Sequence, residues 1–200
     1  MQIRPEKNIL VKIVLVGGLF LLAISSSSAG PLEQGYQAFE RGEYAQAKKY
    51  WLPLAEKNDP DALYNLGILA KNGLGETKDP KAAMLWFRKS AYYGNVDAAY
   101  NLGVMYMSGE TGYPSKKDAV DWWKQAAEQG HHESQYNYAV MLALGYGVEQ
   151  NIQAAMDWWK LSAQQGDVNA INALIEVYQE GRFKQAKSKE KAAYWQQFLK

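Results

Sequence analysis

Several groupings of side chains in this 200-residue chain could do chemistry or bind a partner. His131-His132-Glu133 brings together two imidazoles and a carboxylate, the residue types that hold a divalent metal. Ser188-x-x-Lys191 sets a hydroxyl one helical turn from an amine, the Ser-x-x-Lys spacing of penicillin-recognising enzymes. Tyr64-Asn65, Tyr100-Asn101 and Tyr136-Asn137 repeat a pair suited to binding. Tyrosine supplies a rigid ring with a polar tip, and asparagine both donates to and accepts from a peptide backbone. Asp61, Asp97 and Glu133 add a negative charge one turn before each tyrosine. Trp122-Trp123 and Trp158-Trp159 are possible stacking surfaces. Cysteine is absent, which excludes disulfides, thiolate metal sites and a thiol nucleophile.

The elements that must position these residues repeat every 36 positions. Ala62, Ala98, Ser134 and Ala170 share one column, and Leu66, Leu102, Tyr138 and Leu174 another. Gly73, Gly109, Gly145 and Gly181 keep the same step, as do Trp86, Trp122, Trp158 and Tyr194. So do Ala91, Ala127 and Ala163, and Gly94, Gly130 and Gly166. Such a period marks tandem structural repeats. Each repeat holds two apolar stripes at helical spacing. In the first, Ala62, Leu63, Leu66, Gly67 and Ala70 form one side of a helix, while Asp61, Tyr64, Asn65, Ile68 and Lys71 form the other. In the second, Ala83, Trp86, Phe87, Ser90 and Ala91 face inward and Lys81, Arg88 and Lys89 outward.

Boundary residues recur with the same step. Asp59-Pro60 and Asp79-Pro80 place an acceptor before a proline at the first helical position, where its missing N–H costs nothing. Asn95, His131 and Asp167 occupy the column of Asp59, and Ser115 and Asn151 that of Asp79. Gly94, Gly130 and Gly166, with Asn58 in the matching place, follow each second helix as a left-handed cap requires. This placement weakens both catalytic readings. His131 belongs to a cap, adjacent histidines there are expected to diverge, and no third ligand recurs nearby. Ser188 also sits where a helix cap belongs, and the Ser-Asp-Asn and Lys-Thr-Gly partners of the penicillin-recognising motif are missing. No catalytic residue, metal or cofactor is expected.

Residues 1–29 read as a secretory signal. Arg4, Lys7 and Lys12 give a basic start, Ile13 to Ile24 an uncharged apolar run, and Ser27-x-Ala29 a cleavage site. The run is shorter than the roughly 20 residues that span a bilayer, so cleavage after Ala29 is expected over retention as an anchor. Nineteen basic and twenty acidic residues then remain, a near-neutral balance with no basic stripe for nucleic acid.

A short amphipathic helix pair cannot bury its apolar faces alone, so successive pairs must stack. The expected fold is all-α: a right-handed superhelical solenoid of antiparallel helix pairs over residues 31–200. It comprises an N-terminal pair (31–58), full repeats at 60–95, 96–131 and 132–167, and a capping repeat (168–200) whose last helix runs from about Ser188 to Leu199. Ala98-x3-Leu102-Gly103-x2-Tyr106-x2-Gly109, followed by Ala119-x2-Trp122-x3-Ala126-Ala127-x2-Gly130, resembles the Sel-1-like repeat family, relatives of tetratricopeptide repeats. Ala139 and Ile175 depart from that pattern by replacing the helix glycine, a change expected to alter helix spacing without abolishing the stack.

The resemblance implies an exported, monomeric, non-catalytic adaptor of the bacterial envelope, periplasmic or secreted. It would bind a protein, peptide or partner helix on a concave face lined by first helices. On that face lie Tyr64, Asn65, Tyr100, Asn101, Tyr136, Asn137, Asp61, Asp97 and Glu133. The same Asn and Tyr columns could instead serve only to hold repeats together. The resemblance also offers a second reading: a cell-wall hydrolase or β-lactam-binding protein of the cysteine-rich repeat type.

Overall fold

The computed structural model describes residues 29–199; apart from Ala29, the expected secretory signal lies outside the described residues. Helices pair as α1 (Pro31–Glu40) with α2 (Tyr44–Glu56), α3 (Pro60–Asn72) with α4 (Pro80–Tyr92), and α5 (Val96–Ser108) with α6 (Lys116–Glu128). Then follow α7 (His132–Leu144) with α8 (Ile152–Gln164), and α9 (Val168–Glu180) with α10 (Lys189–Gln196). Each helix packs on its neighbours in sequence, giving the all-α solenoid of helix pairs that the 36-residue period predicts.

Capping chemistry explains why the helices start where they do. Asp59, Asn95, His131 and Asp167 each accept the backbone N–H of the residue three positions on. Asp79, Ser115, Asn151 and Ser188 do the same for α4, α6, α8 and α10. A cap of this kind stabilises a helix by about 1 kcal/mol. The first helices of the full and capping repeats stop at Gly73, Gly109, Gly145 and Gly181, with φ from 68° to 73°. That left-handed conformation lets the glycine amide reach the carbonyl four residues back, and a side chain there would be strained. The last helix is shorter than expected. Regular α-helix ends at Gln196, and Gln197–Leu199 tightens into a 3-10 turn.

Within each pair the second aromatic of the doublet fills the core. Phe87, Trp123, Trp159 and Trp195 are buried, as is Trp51 one step earlier. Glycine on the first helix makes room for the ring. A Cβ on Gly67 would come within 2.6 Å of the Phe87 ring, and one on Gly35 or Gly103 would come closer still to Trp51 or Trp123. Ala139 and Ile175 take the glycine's place in the later repeats, and both remain buried in the continuing core. The first aromatic of the doublet joins one pair to the next: half-buried Trp86 packs against the cores of two successive pairs.

Candidate functional site

Side chains near the starts of successive first helices meet, and these meetings build one polar face. Asp61 on α3 accepts from the Asn95 amide that caps α5, at 2.9 Å. Asp97 on α5 lies 3.2 Å from Nε2 of His131, the cap of α7. Asp167, the cap of α9, lies 3.2 Å from Nδ1 of His132. A carboxylate therefore meets the neighbouring helix start at each step from α3 to α9.

The tyrosines stand between these carboxylates. Burial pushes the Tyr64 hydroxyl up to about 12, with the Asp97 charge adding to the rise and the Asn101 amide opposing it. Tyr100 is raised by burial and then by Glu133 and Asp167; Tyr136 by burial and then by Asp167 and Glu176. In each case the main charge perturbing the tyrosine comes from the next first helix or its cap. Tyr and carboxylate thus alternate along the face.

Tyr36 of α1 belongs to the same row. Burial raises it, Asn65 lowers it, and Asp61 raises it again. Sequence periodicity misses it for two reasons: the link between α1 and α2 is four residues shorter than in later repeats, and counting from Gly35, which faces Trp51 as Gly67 faces Phe87, Tyr36 stands one turn later, in the column of Ile68, with Leu32 in that of Tyr64. The "GYQAF" stretch, which follows the first-helix plan, was the available signal.

The asparagines are set deeper. Asn65 and Asn101 are only 8% and 7% exposed, while Asn137 is half-buried. Asn101 donates to the Asp97 carbonyl at 2.9 Å and accepts from Lys71 at 3.1 Å, so both ends of its amide are engaged within the protein. Asn65 adjoins the Tyr36 hydroxyl, yet its buried Nδ2 has no acceptor in bonding geometry among the described residues. The accessible part of this face therefore consists mainly of Tyr64, Tyr100, Tyr136, Asp61, Asp97 and Glu133.

His131 and His132 do not diverge as expected: their rings lie 6.1 Å apart and within 14° of parallel. The Tyr100 ring also lies against His131, its centre 4.8 Å away and its plane tilted by 33°. His131 Nδ1 accepts the Ser134 N–H, which leaves the proton of the neutral ring on Nε2, toward Asp97 and Glu133. Glu133 also reaches His132 Nε2, at 3.2 Å. Asp97 and Glu133 thus share His131 Nε2, and no group of three His, Asp or Glu among the described residues is arranged to hold a metal.

Ser188 Oγ accepts the Lys191 N–H at 3.2 Å as the cap of α10, while the Lys191 ammonium lies 5.2 Å from the centre of the Tyr178 ring. The pair is built as a helix start, with its amine directed to an aromatic face.

Fold and face together define a helix-pair repeat protein. The Sel1 repeat family model matches residues 60–95, 96–131 and 132–167, more than half of the chain, and the chain belongs to that family. A Sel1 repeat protein from Oxalobacter formigenes is similar over 85% of this chain and 69% of its own, at 28% identity and a TM-score of 0.73. The protective antigen c5321 of uropathogenic Escherichia coli, which displays the same fold, matches 84% of this chain and 44% of its own. Its identity is 22% and its TM-score 0.59. Helicobacter pylori cysteine-rich protein B matches 70% of this chain and 94% of its own, at 14% identity and a TM-score of 0.51. At that distance the likeness is one of fold alone, and it lends no support to the cell-wall or β-lactam reading. No curated protein matches the sequence. Sel1 repeat proteins are generally scaffolds for protein–protein interaction.

Proposed function

We propose that this protein is an exported, non-catalytic adaptor of the bacterial envelope, periplasmic or secreted, that acts as a monomer and holds a protein partner on its first-helix face. One observation carries the reading: the alternation of Tyr64, Tyr100 and Tyr136 with Asp61, Asp97 and Glu133 across successive repeats. Tyrosine gives large contact area at small entropic cost, and carboxylates one turn away select a partner carrying basic side chains. An extended peptide or a helix laid across the repeats would meet this pattern at each step. Export is supported by the basic start, the apolar run and the Ser27-x-Ala29 site.

The test replaces Tyr100 and Tyr136 with alanine and compares melting temperature with partner affinity. Loss of two contact tyrosines is expected to weaken binding by at least about 30-fold, equivalent to about 2 kcal/mol. A large loss of stability with unchanged affinity would assign the column to repeat packing and remove the binding reading.

A further inference from the structure

Helical periodicity gathers Lys81, Leu85, Arg88 and Tyr92 of α4 within about 60° of one another, on the side turned away from the buried Phe87. That side is open. Leu85 is 67% and Tyr92 81% exposed, two turns apart, and Tyr93 meets the Tyr92 ring edge-on at 5.1 Å. Lys81 and Arg88 are exposed as well, with the Arg88 guanidinium over the Tyr106 ring. No acidic residue occurs in α4.

The 36-residue period carries the same side onto the other second helices. On α2 it holds exposed Lys49, Pro53, Glu56 and Lys57, and Lys89 of α4 reaches the Ala55 carbonyl of α2 at 3.4 Å, so the two helices adjoin. On α6 the same columns hold Lys117, Asp121, Lys124 and Glu128, which pair with one another along the helix. On α8 Asp157 is bound by Lys160 and Gln153. Residues 44–57 and 80–93 carry six basic and one acidic residue, whereas residues 116–129 and 152–165 carry four of each. Lys49 and Lys81 form no ion pair among the described residues, while Lys48 is held by Glu76. Unpaired cations and open apolar side chains therefore coincide on α4 and α2.

We infer that this side of α4, with that of α2 beside it, docks on an anionic lipid surface, Leu85 and Tyr92 entering the interface and Lys49, Lys81 and Arg88 lying against the headgroups. Basic side chains around exposed tyrosine and leucine on one helix side are the composition of an interfacial helix. An acidic protein would answer the cations, but it would have to bring recesses for Leu85 and Tyr92, which project from the helix. Lipid closes around such projections without a matching pocket. The self-paired charges of α6 and α8 confine the contact to α2 and α4. The Tyr and carboxylate face belongs to the first helices, so the inference stands apart from the partner-binding reading.

Co-sedimentation with vesicles of phosphatidylglycerol, against vesicles of phosphatidylcholine alone, tests it. The form that begins at Gly30 is used, so that the apolar run of the expected signal does not itself bind lipid, with helical circular dichroism to verify folding. The same substitutions are also placed in the full chain. Binding to the anionic vesicles is expected to weaken in about 0.5 M salt. The Lys49→Glu, Lys81→Glu double variant should lower partitioning by at least about 25-fold, since each lysine near such a surface is worth about fivefold and both charges are reversed. Glutamate in the first turn of α4 suits the helix dipole, so position 81 keeps its fold. Leu85→Ser with Tyr92→Ser should lower partitioning about tenfold at unchanged salt dependence. Absent binding to the anionic vesicles overturns the inference and leaves an acidic protein as the occupant. Unchanged partitioning of either double variant overturns it as well. So does self-association that the lysine variant abolishes while no vesicle binding is seen, which would make a second copy the occupant.

Discussion

Trp123→Phe and Trp123→Ala separate two roles that one buried indole combines. Trp123 is 6% exposed and lies against Gly103, and its Nε1 is buried with no hydrogen-bond acceptor among the described residues. Alanine removes the whole ring and leaves a cavity between α5 and α6, a loss of about 3–5 kcal/mol. Phenylalanine removes only the five-membered part, roughly 50 Å² of apolar contact or about 1.2 kcal/mol at 25 cal/mol per Å². It also removes a buried donor whose desolvation costs about 1–3 kcal/mol. The two effects offset, so Trp123→Phe is expected within about 1 kcal/mol of the parent. Phe87 shows that phenylalanine fits opposite a glycine in this column. Urea unfolding followed by helical circular dichroism measures both variants. A Trp123→Phe loss as large as that of Trp123→Ala would refute the reasoning, since the indole N–H would then contribute a bond.

Raised tyrosine hydroxyls make stability fall at alkaline pH. The native state holds the Tyr64 proton more tightly than the unfolded chain, so its contribution is complete below pH 10 and is lost as pH rises to about 12. The loss is about 3 kcal/mol at most, and Tyr64→Phe should flatten this part of the urea-midpoint profile against pH. His131→Ala removes the α7 cap and is expected to cost about 1 kcal/mol by thermal unfolding, while His131→Asn, the residue used at Asn95, should restore most of it. Ser188→Ala should cost about 1 kcal/mol through the α10 cap. Neither it nor the parent should turn over nitrocefin, and turnover abolished by this substitution would make Ser188 a nucleophile.

The helix pairs and their starts were legible because capping and periodicity are local. Asp59, Asn95, His131 and Asp167 share a column whatever their chemistry, so even an imidazole could be recognised as a cap. Which tryptophan of each doublet faces the core was not legible. Adjacent residues lie only about 100° apart on a helix, and both fall within a broad apolar stripe. The choice is made by Gly67 and Gly103 on the partner helix, a tertiary fit invisible in one helix's pattern. The depth of Asn65 and Asn101 was hidden for a similar reason: it depends on how closely the next first helix approaches. The parallel histidine rings depend on three carboxylates contributed by two other helices as well as their own.

The central claim is that the first-helix face holds a protein partner. A photocrosslinking amino acid at Tyr100, in cells expressing the chain at native level, tests it directly against the same probe at exposed Lys124 on α6. The account predicts a discrete adduct from position 100, lost when Asp97 and Glu133 are replaced by Asn and Gln, and no such adduct from position 124. An adduct from position 124 alone, or one from position 100 indifferent to the carboxylates, would contradict it.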